Sequence, residues 1–521
     1  MKQNLDGQDS LWLQLLAVLA VTAGLIYCSG GIGIGDGNHA GLLPVVRRIL
    51  NPNYLPGDFN IELRFYHHRA FAFLVAGASW LLGEDRALIL LRVLEMLGLS
   101  GALWALCRAV GLPLSGYLAV SGFVATEFLW TGRGLELNNF LGDPEAMPPL
   151  LAHTMVLLAL VAIIKERYRW GVILVGLTVL LHLQIGITLA FTMLPFYLVR
   201  LRQFGVRETA LLLGLFFLPA LPAVWHTLHM LQRGLASTPL PPAEYIDFRH
   251  PHHFALLSGK AALAVGAHFL VMASVYVWLR KQPRPERRAV GVLLAASGMI
   301  LLLSLIHFAD YYLIKHNKLA QIQFLRVTPV ITVLGSLSAV WALNEWQRQK
   351  TARRDLSWLV NAVLLCCALG WGVYAVRNLD ANYYFGVRRY ADEPTSWSDV
   401  CRWIKAHGPQ ATYLTPPGRR SGFTVLTDRS NVVEFKLNPD GALNQAEWFA
   451  RLRDLSGGAL PKERGFDNRK PLDRAYGKLS EEQLRALSVK YNADYAVLPQ
   501  TSNTKFDVLY QNDDYRVVKL R

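Results

Sequence analysis

The stretch LWLQLLAVLAVTAGLIYCSGGIGIGDGNHAG, residues 11–41, joins an uncharged apolar run to a glycine-rich turn that carries one carboxylate, Asp36. A run of this length can cross the roughly 30 Å hydrocarbon layer of a membrane as a helix. It lacks the strongly basic start and the small-residue (A-x-A) cleavage site of a signal peptide, so we interpret it as a retained helix. The glycines then end this helix and let the backbone turn tightly.

The glycine-rich turn matches no nucleotide-binding or calcium-binding motif. After Gly31 and Gly33, Asp36 stands where a dinucleotide fingerprint needs its third glycine, and no GK[ST] follows as in a P-loop. Alternate carboxylates of a calcium loop are also missing. Asp36 is therefore either a solvated loop residue or a functional carboxylate at the membrane boundary. In the second case it could take a proton from an acceptor hydroxyl or hold a divalent cation against a diphosphate.

Composition predicts a polytopic membrane protein. The 521 residues are 52% hydrophobic and 17% charged, whereas soluble domains carry about 25% charged residues. The net charge of +15 arises largely from basic clusters between apolar runs, which is the positive-inside pattern of membrane proteins. We therefore expect no nucleic-acid partner. The clusters are KERYR (165–169), RLRQFGVR (200–207), RKQPRPERR (280–288) and RQKTARR (348–354).

The basic clusters also predict the topology. All of them lie on the inner side if the run 70–82 stays at the membrane surface. A multi-pass protein of the cell (inner) membrane follows, with its N-terminus in the cytoplasm and its C-terminus outside. The outer loops are 31–86, 131–148, 227–253 and 309–326. The eleven predicted spans are 11–30, 87–109, 112–130, 149–164, 170–184, 185–199, 208–226, 254–279, 289–308, 327–346 and 357–376.

The predicted fold class is a polytopic all-α membrane domain, residues 1–377, followed by a small α/β extracytoplasmic domain, residues 378–521. In the tail, SWSDVCRWIKAHG and SEEQLRALSVKYN indicate helices. Six segments indicate short strands: ATYLTP, FTVLTD, NVVEFK, DYAVLP, FDVLYQ and YRVVKL. In the first outer loop, HAGLLPVVRRIL (39–50) predicts a short interfacial helix broken near Pro44.

The second outer loop, TGRGLELNNFLGDPEAMPP (131–149), carries Asp143 and Glu145 as a D-x-E pair. Prolines keep this loop from being helical. In an extended backbone, alternate acids can converge on a cationic transition state or on a divalent cation such as Mg²⁺ or Mn²⁺. The alternative is a solvated turn that caps the next helix.

The fourth outer loop, DYYLIKHNKLAQIQFLR (310–326), carries Lys315, Lys318 and Arg326 on the side where basic residues are not expected. A guanidinium fork suits recognition of a phosphate group. The alternative is that these side chains extend to the phosphates of outer-leaflet lipids. Four further residues have acceptor-binding or structural interpretations: Asp58, His39, His182 and His316.

These loops together resemble the GT-C superfamily of membrane glycosyltransferases, which includes oligosaccharyltransferase catalytic subunits, protein mannosyltransferases and lipid A aminoarabinose transferases. The shared pattern is an acid after the first helix, acids in the second outer loop, a basic residue in a later loop and an outer C-terminal domain. A narrower likeness is to uncharacterised bacterial multi-pass proteins, through GDGNHAGLLPVVRRILNPNYLPGD, HLQIG, DRSNVVEFK and NADYAVLP. The chain departs from the superfamily in having D-G-N at Asp36 and no W-W-D motif in its tail.

The resemblance implies inverting transfer of a sugar from a polyprenyl-phosphate-type lipid to an acceptor hydroxyl on the outer face. Asp36 would be the base, and Arg326 with Lys315 and Lys318 would bind the leaving phosphate. Asp143 or Glu145 would orient the acceptor or hold a metal. The implied partners are the bilayer, the lipid-linked donor and a glycan, lipid or protein acceptor.

Three other functions remain open from the sequence. A flippase or transporter of lipid-linked glycans would place polar residues at mid-membrane, whereas here they collect on one side. A polysaccharide polymerase or ligase would use the same donor with a glycan acceptor. The tail could also be a binding module, although eleven spans exceed what an anchor requires.

Overall fold

A computed structural model of the chain describes residues 10–35, 37–64, 68–137, 140–234, 242–281, 284–350, 386–419, 422–439 and 442–521. These residues are mostly helical. Six helices are long and apolar enough to cross a membrane: Leu11–Cys28, Glu84–Ala109, Leu201–His229, Pro251–Trp278, Glu286–Ile314 and Phe324–Gln347. Shorter apolar helices are Arg69–Leu82, Leu114–Thr126, Pro148–Ile164, Tyr168–Leu181 and Leu183–Leu198.

The apolar runs predicted most of these helices. Each predicted span up to residue 346 overlaps one of them, and the span predicted at 357–376 lies outside the described residues. The number of crossings stays a prediction, because several helices are shorter than a full span. Helix Arg69–Leu82 has 14 residues, about 21 Å at 1.5 Å per residue. That length falls short of a roughly 30 Å hydrocarbon layer.

The chain divides into two compact units, and each is discontinuous in sequence. The predicted boundary at 377/378 lies outside the described residues. The first unit comprises Met1–Gly31, Leu91–Val224 and His252–Gly386. The second unit comprises Ile32–Leu90, Trp225–Pro251 and Val387–Arg521.

In the first unit, helices pack on their neighbours in sequence. Helix Pro148–Ile164 contacts Tyr168–Leu181, which in turn contacts Leu183–Leu198. Helix Gly259–Trp278 packs on Pro329–Lys350. Short non-α turns connect the last helices: the π-helix Ala309–Ile314 and the 3₁₀ turns Ala320–Ile322 and Phe324–Val327.

The second unit contains a five-stranded mixed sheet of order β4-β3-β5-β7-β6. Strand β3 is parallel to β4 and β5, and β7 is antiparallel to β5 and β6. The strands are β3 Thr412–Leu414, β4 Ser430–Asn431, β5 Ala493–Pro499, β6 Asp507–Gln511 and β7 Tyr515–Lys519. The helices around it are Ser396–His407, Phe423–Thr427, Ala442–Leu455, Arg469–Tyr476 and Glu481–Tyr491.

Two of the predicted tail strands are wrong. FTVLTD forms the helix Phe423–Thr427, and in NVVEFK only Asn431 belongs to a strand. The side chain of Glu434 explains the difference, because its carboxylate accepts hydrogen bonds from the backbone N–H groups of Gly422 (3.1 Å) and Phe423 (3.2 Å). A carboxylate that caps free N–H groups stabilises the start of a helix.

The glycine-rich turn does more than end the first helix. The helix stops at Cys28, and the N–H of Gly31 bonds to the carbonyl of Ile26 (2.9 Å), as expected. Beyond it, Ile32–Ile34 forms strand β1, which pairs in parallel with β2, Val387–Arg389. The sequence did not indicate this strand, because three residues are too few to show an alternation of apolar and polar side chains.

Helix His39–Leu50 continues through Pro44, so the break predicted near Pro44 is wrong, while its position at the membrane interface stays a prediction. Its first two turns are buried within the second unit. It packs on Arg69–Leu82 and Phe423–Thr427. Gly41 allows a close approach, because a Cβ there would lie 2.6 Å from Nε of Arg64.

Buried carboxyls make the second unit sensitive to pH. Burial raises the pKa of Glu434 to about 7 and that of Asp58 to about 6. The folded state then holds protons that the unfolded chain releases near pH 4, so the free energy of unfolding should fall as pH rises from 4.5 to 7. The loss is at most about 1.4 kcal/mol for each pKa unit. Hydrogen exchange of residues 422–435 at pH 5 and 7.5 measures it.

Replacing Glu434 with Gln should flatten this dependence, whereas Glu447→Gln, on an exposed helix face, should leave it unchanged. Equal exchange protection of the wild-type protein at both pH values would contradict the assignment.

Candidate functional site

Within the first unit, hydroxyl groups of the helix Pro329–Lys350 and the residue before it bind the loop 131–148. Thr328, Thr332 and Ser336 are spaced by four residues and so share one face at the start of helix Pro329–Lys350. Thr332 Oγ1 accepts from Gly132 N (2.8 Å), and Thr328 Oγ1 accepts from Leu135 N (2.9 Å). These side chains supply the partners that an irregular backbone needs.

Gly134 lets the loop approach this helix closely. A Cβ at residue 134 would lie 2.4 Å from Thr328 Oγ1 and 2.6 Å from Cδ of Pro329. Any larger residue would push the loop away from the hydroxyl that binds it. The position of the acidic residues that follow therefore depends on this contact.

Asp143 and Glu145 lie in different surroundings within this loop. Asp143 is exposed, whereas Glu145 is 4% exposed. Both carboxylates lie close enough to Arg92 to interact with its charge. The sequence predicted these acids as a pair, and the structure adds a buried guanidinium beside them.

Arg92 belongs to a buried polar cluster on helix Glu84–Ala109. Its Nη1 lies 3.4 Å from Glu95 Oε2, and its Nη2 donates to Ser29 Oγ (3.1 Å). Glu95 also accepts a hydrogen bond from the backbone N–H of Met147, at the end of the acidic loop. Arg92 and Glu95 are each 1% exposed. The sequence reasoning missed them, although two charges in an apolar run are a signal of function.

Arg326 lies in a second cluster of the first unit, in the 3₁₀ turn Phe324–Val327. Its Nε donates to Gln323 Oε1, and its charge interacts with that of Glu136. The carbonyl of Arg326 bonds to Nε2 of His153 (3.0 Å). The contacts described for Arg326 thus involve Glu136 rather than Asp143 or Glu145.

Glu136 is a further buried acid that the sequence did not single out. It is 1% exposed, and its Oε2 lies 3.0 Å from Nδ1 of His253. It precedes the acidic pair in the same loop. Glu136 therefore connects this loop electrostatically to Arg326.

The lysines predicted to bind phosphate lie in a solvent-exposed turn. Lys315 and Lys318 are exposed, as is His316 between them. Lys315 adopts a left-handed conformation, and its N–H bonds to the carbonyl of Asp310 (2.7 Å). In this position the ammonium groups can reach a ligand from solvent or from a lipid headgroup.

His182 has a structural position. It is 2% exposed, and its Nδ1 accepts from the N–H of Ile185 (3.4 Å). It therefore caps helix Leu183–Leu198.

In the second unit, two predicted residues are buried. His39 accepts the N–H of Gly35 at its Nδ1 (3.2 Å) and so braces the turn after β1. Asp58 accepts the N–H of Ile61 (2.9 Å) and caps helix Phe59–Arg64. Asp36 lies outside the described residues.

The guanidinium of Arg92 supplies positive charge near Asp143 and Glu145, which would weaken the binding of a divalent cation there. The same arrangement can hold a carboxylate ionised and fixed in a water-poor environment. It can therefore orient a hydroxyl or stabilise positive charge on a sugar ring.

Comparison with known proteins identifies the fold. A family model described as a domain of unknown function (DUF6798) matches residues 395–455. No curated protein matches the chain. Among solved structures, apo ArnT from Cupriavidus metallidurans has a TM-score of 0.55 at 13% identity, with 98% of each chain covered.

The arabinofuranosyltransferase AftD from Mycobacteria, in a mutant form, has a TM-score of 0.53 at 14% identity. The match covers 99% of this chain but only 42% of AftD, so the chain spans about two fifths of that protein. ArnT and AftD are GT-C glycosyltransferases. The chain therefore has a GT-C-like fold, as the sequence resemblance predicted.

Loss of one loop-binding hydroxyl should loosen the acidic loop. In Thr332→Val the N–H of Gly132 loses its acceptor, which costs about 1–3 kcal/mol for a buried group. We expect faster hydrogen exchange of residues 131–147 and a lower melting temperature. Ser338→Ala is the matched control, because Ser338 lies on the same helix and, within the part of the chain that the structure describes, its hydroxyl bonds only to Leu334 O of that helix. Equal effects of the two substitutions would argue against the docking role of Thr332.

Removing Arg92 alone should destabilise the first unit more than removing it together with Glu95. Arg92→Leu leaves a buried carboxylate without its partner, at a cost of about 3–5 kcal/mol. Arg92→Leu/Glu95→Leu leaves no unpaired buried carboxylate, so much of the lost free energy of unfolding should be regained. Thermal unfolding in detergent measures both variants. A double variant less stable than the single one would show that Glu95 is held by other groups.

Proposed function

We propose that this protein is a glycosyltransferase that moves a sugar from a polyprenyl-phosphate-type lipid to an acceptor hydroxyl on the extracytoplasmic face of the membrane. The observation that carries the proposal is the GT-C-like fold over almost the entire chain. ArnT, which shares this fold, is also known bound to undecaprenyl phosphate. The buried charged clusters of the first unit support a catalytic rather than a purely structural role.

The proposed orientation follows the basic clusters between the apolar helices. The N-terminus would be cytoplasmic, and the C-terminal domain, residues 378–521, would lie outside, in an inner-membrane protein. Loops 131–148 and 309–326 would then share the outer side with Asp36. A lipid-linked donor flipped to that leaflet would present its phosphate there.

Inverting transfer needs a base, a stabilised leaving group and a held acceptor. Asp36 is the proposed base that takes the proton from the acceptor hydroxyl. Arg326, with Lys315 and Lys318, is proposed to neutralise the leaving phosphate. The bond from the anomeric carbon to the phosphate oxygen breaks as the acceptor oxygen attacks from the opposite face.

Glu145 is the proposed acceptor-orienting residue, with Asp143 at the exposed edge of the same loop. The burial of Glu145 and its proximity to Arg92 support this role, because a fixed carboxylate can accept a hydrogen bond from a sugar hydroxyl. Arg92 and Glu95 would act as positioning residues, since they hold the end of the loop at Met147.

The proposal predicts transfer or hydrolysis by the purified protein supplied with a polyprenyl-phosphate sugar in nanodiscs. Asp36→Asn should lower the rate by about 10²–10⁴, the usual contribution of a general base. Release of lipid phosphate, followed by chromatography, measures it. The control is Asp507→Asn, an exposed carboxylate on β6. Full activity in Asp36→Asn would remove Asp36 from the role of base.

The experiment also separates the alternatives. A flippase would move the intact lipid-linked sugar between leaflets without releasing phosphate. A polymerase or ligase would release it only when a glycan acceptor is present.

A further inference from the structure

Arg249 is an unusual residue of the second unit, at the end of helix Pro242–Arg249. It is 3% exposed. Its Nε donates to the carbonyl of Phe435 (3.0 Å) and its Nη2 to that of Lys436 (3.0 Å). The guanidinium also lies 5.1 Å from the ring centre of Phe435 and 5.0 Å from that of Phe466. These contacts hold the guanidinium plane in one orientation.

The third nitrogen of this group has no protein partner. Nη1 of Arg249 is buried, and within the described residues it makes no hydrogen bond and no ion pair. Leaving a buried donor of a charged group unsatisfied costs more than an ordinary lost hydrogen bond. A buried donor without a partner calls for an explanation, and a bound water or an anionic ligand would each supply one at Nη1.

Two more guanidinium groups lie near Arg249. Arg64 and Arg469 lie close enough to oppose its charge. Arg64 Nη1 donates to the carbonyl of Asn438 (2.8 Å), and Arg469 Nε donates to that of Gly418 (2.8 Å). Burial and these two charges lower the pKa of Arg249 to about 10, so Arg249 is charged at neutral pH.

A purely structural role explains only part of this arrangement. Arg249 does tie residues 435–436 to its helix, and two donors are enough for that. The guanidinium groups of Arg64 and Arg469 oppose the charge of Arg249, while the carboxylate of Asp473 offsets part of the charge of Arg469. A bound dianion would offset the repulsion that remains at Arg249.

We propose that Arg249, with Arg64 and Arg469, forms a binding site for a phosphate-type oxyanion in the second unit. Guanidinium forks match the oxygen spacing of phosphate. The aromatic faces of Phe435 and Phe466 bound the site and keep the guanidinium of Arg249 flat. The phosphate comes either free from solution or as the headgroup of a lipid. This site is independent of the proposed sugar transfer.

Titration of the full-length protein in a non-ionic detergent with inorganic phosphate tests the site, at constant ionic strength set by chloride. Isothermal calorimetry should show saturable binding, with a matching rise in melting temperature. Arg249→Gln should weaken phosphate binding about 10- to 100-fold, the value of a charged hydrogen bond. Arg453→Gln removes the same charge from an exposed position of this unit and should bind phosphate as the wild type does.

If Arg249→Gln does not fold, Arg469→Gln provides a second test of the same site. Arg469 is half-buried, and its loss removes both its repulsion of Arg249 and its contacts with Gly418 and Asp473. Measured against its own melting temperature without phosphate, this variant should lose most of the phosphate-dependent rise. The absence of saturable binding to the wild type, or equal binding by Arg469→Gln and Arg453→Gln, would overturn the proposal.

A short-chain phosphatidic acid distinguishes the two sources of the phosphate. If it competes with inorganic phosphate, the site accepts a lipid headgroup. If it does not compete while inorganic phosphate binds, the ligand is free phosphate. Either result supports the oxyanion site.

Discussion

The hydrocarbon layer gives backbone N–H and C=O groups no water to bond with, and this constraint organises the first unit. Long apolar segments satisfy it as helices, which bond their own backbone. The described part of the loop 131–147 is irregular, and where protein buries it, backbone N–H groups bond to side chains instead. Thr328 and Thr332 supply these side chains from one helix face. The residues with proposed chemical roles therefore stand on a backbone that helix hydroxyls hold in place.

Buried charge is the second feature that shapes this protein, and the two units handle it differently. In the first, Arg92 faces the carboxylate of Glu95 and the hydroxyl of Ser29, and its charge also reaches the acidic loop. In the second, Arg249 is held by neutral carbonyls and aromatic rings. The first arrangement orders a loop near the proposed chemistry. In the second, Arg249 forms no ion pair within the described residues, and an anionic ligand is the partner proposed for it.

Much of the helical framework could be predicted, because length and hydropathy are local properties. Tail strands such as β5 and β7 were also found, from their β-branched residues. FTVLTD is also rich in β-branched residues, but that prediction failed, since Glu434 caps the N–H groups that begin its helix. Asp143, Glu145 and Arg326 were recognised as loop residues of interest. Arg92 and Glu95 were missed because their helix was judged by its average hydropathy, which conceals two charges.

The sequence by itself determined where the chain is helical and apolar, where its basic clusters fall, and that glycines end the first helix. Those properties depend on neighbours within a few residues. Tertiary structure alone decided which polar groups meet. Arg92 bonds to Ser29 across 63 residues, and Arg249 bonds to Phe435 across 186. Burial and charge pairing act through space, so residues distant in the chain acquire their roles only when packing removes the water between them.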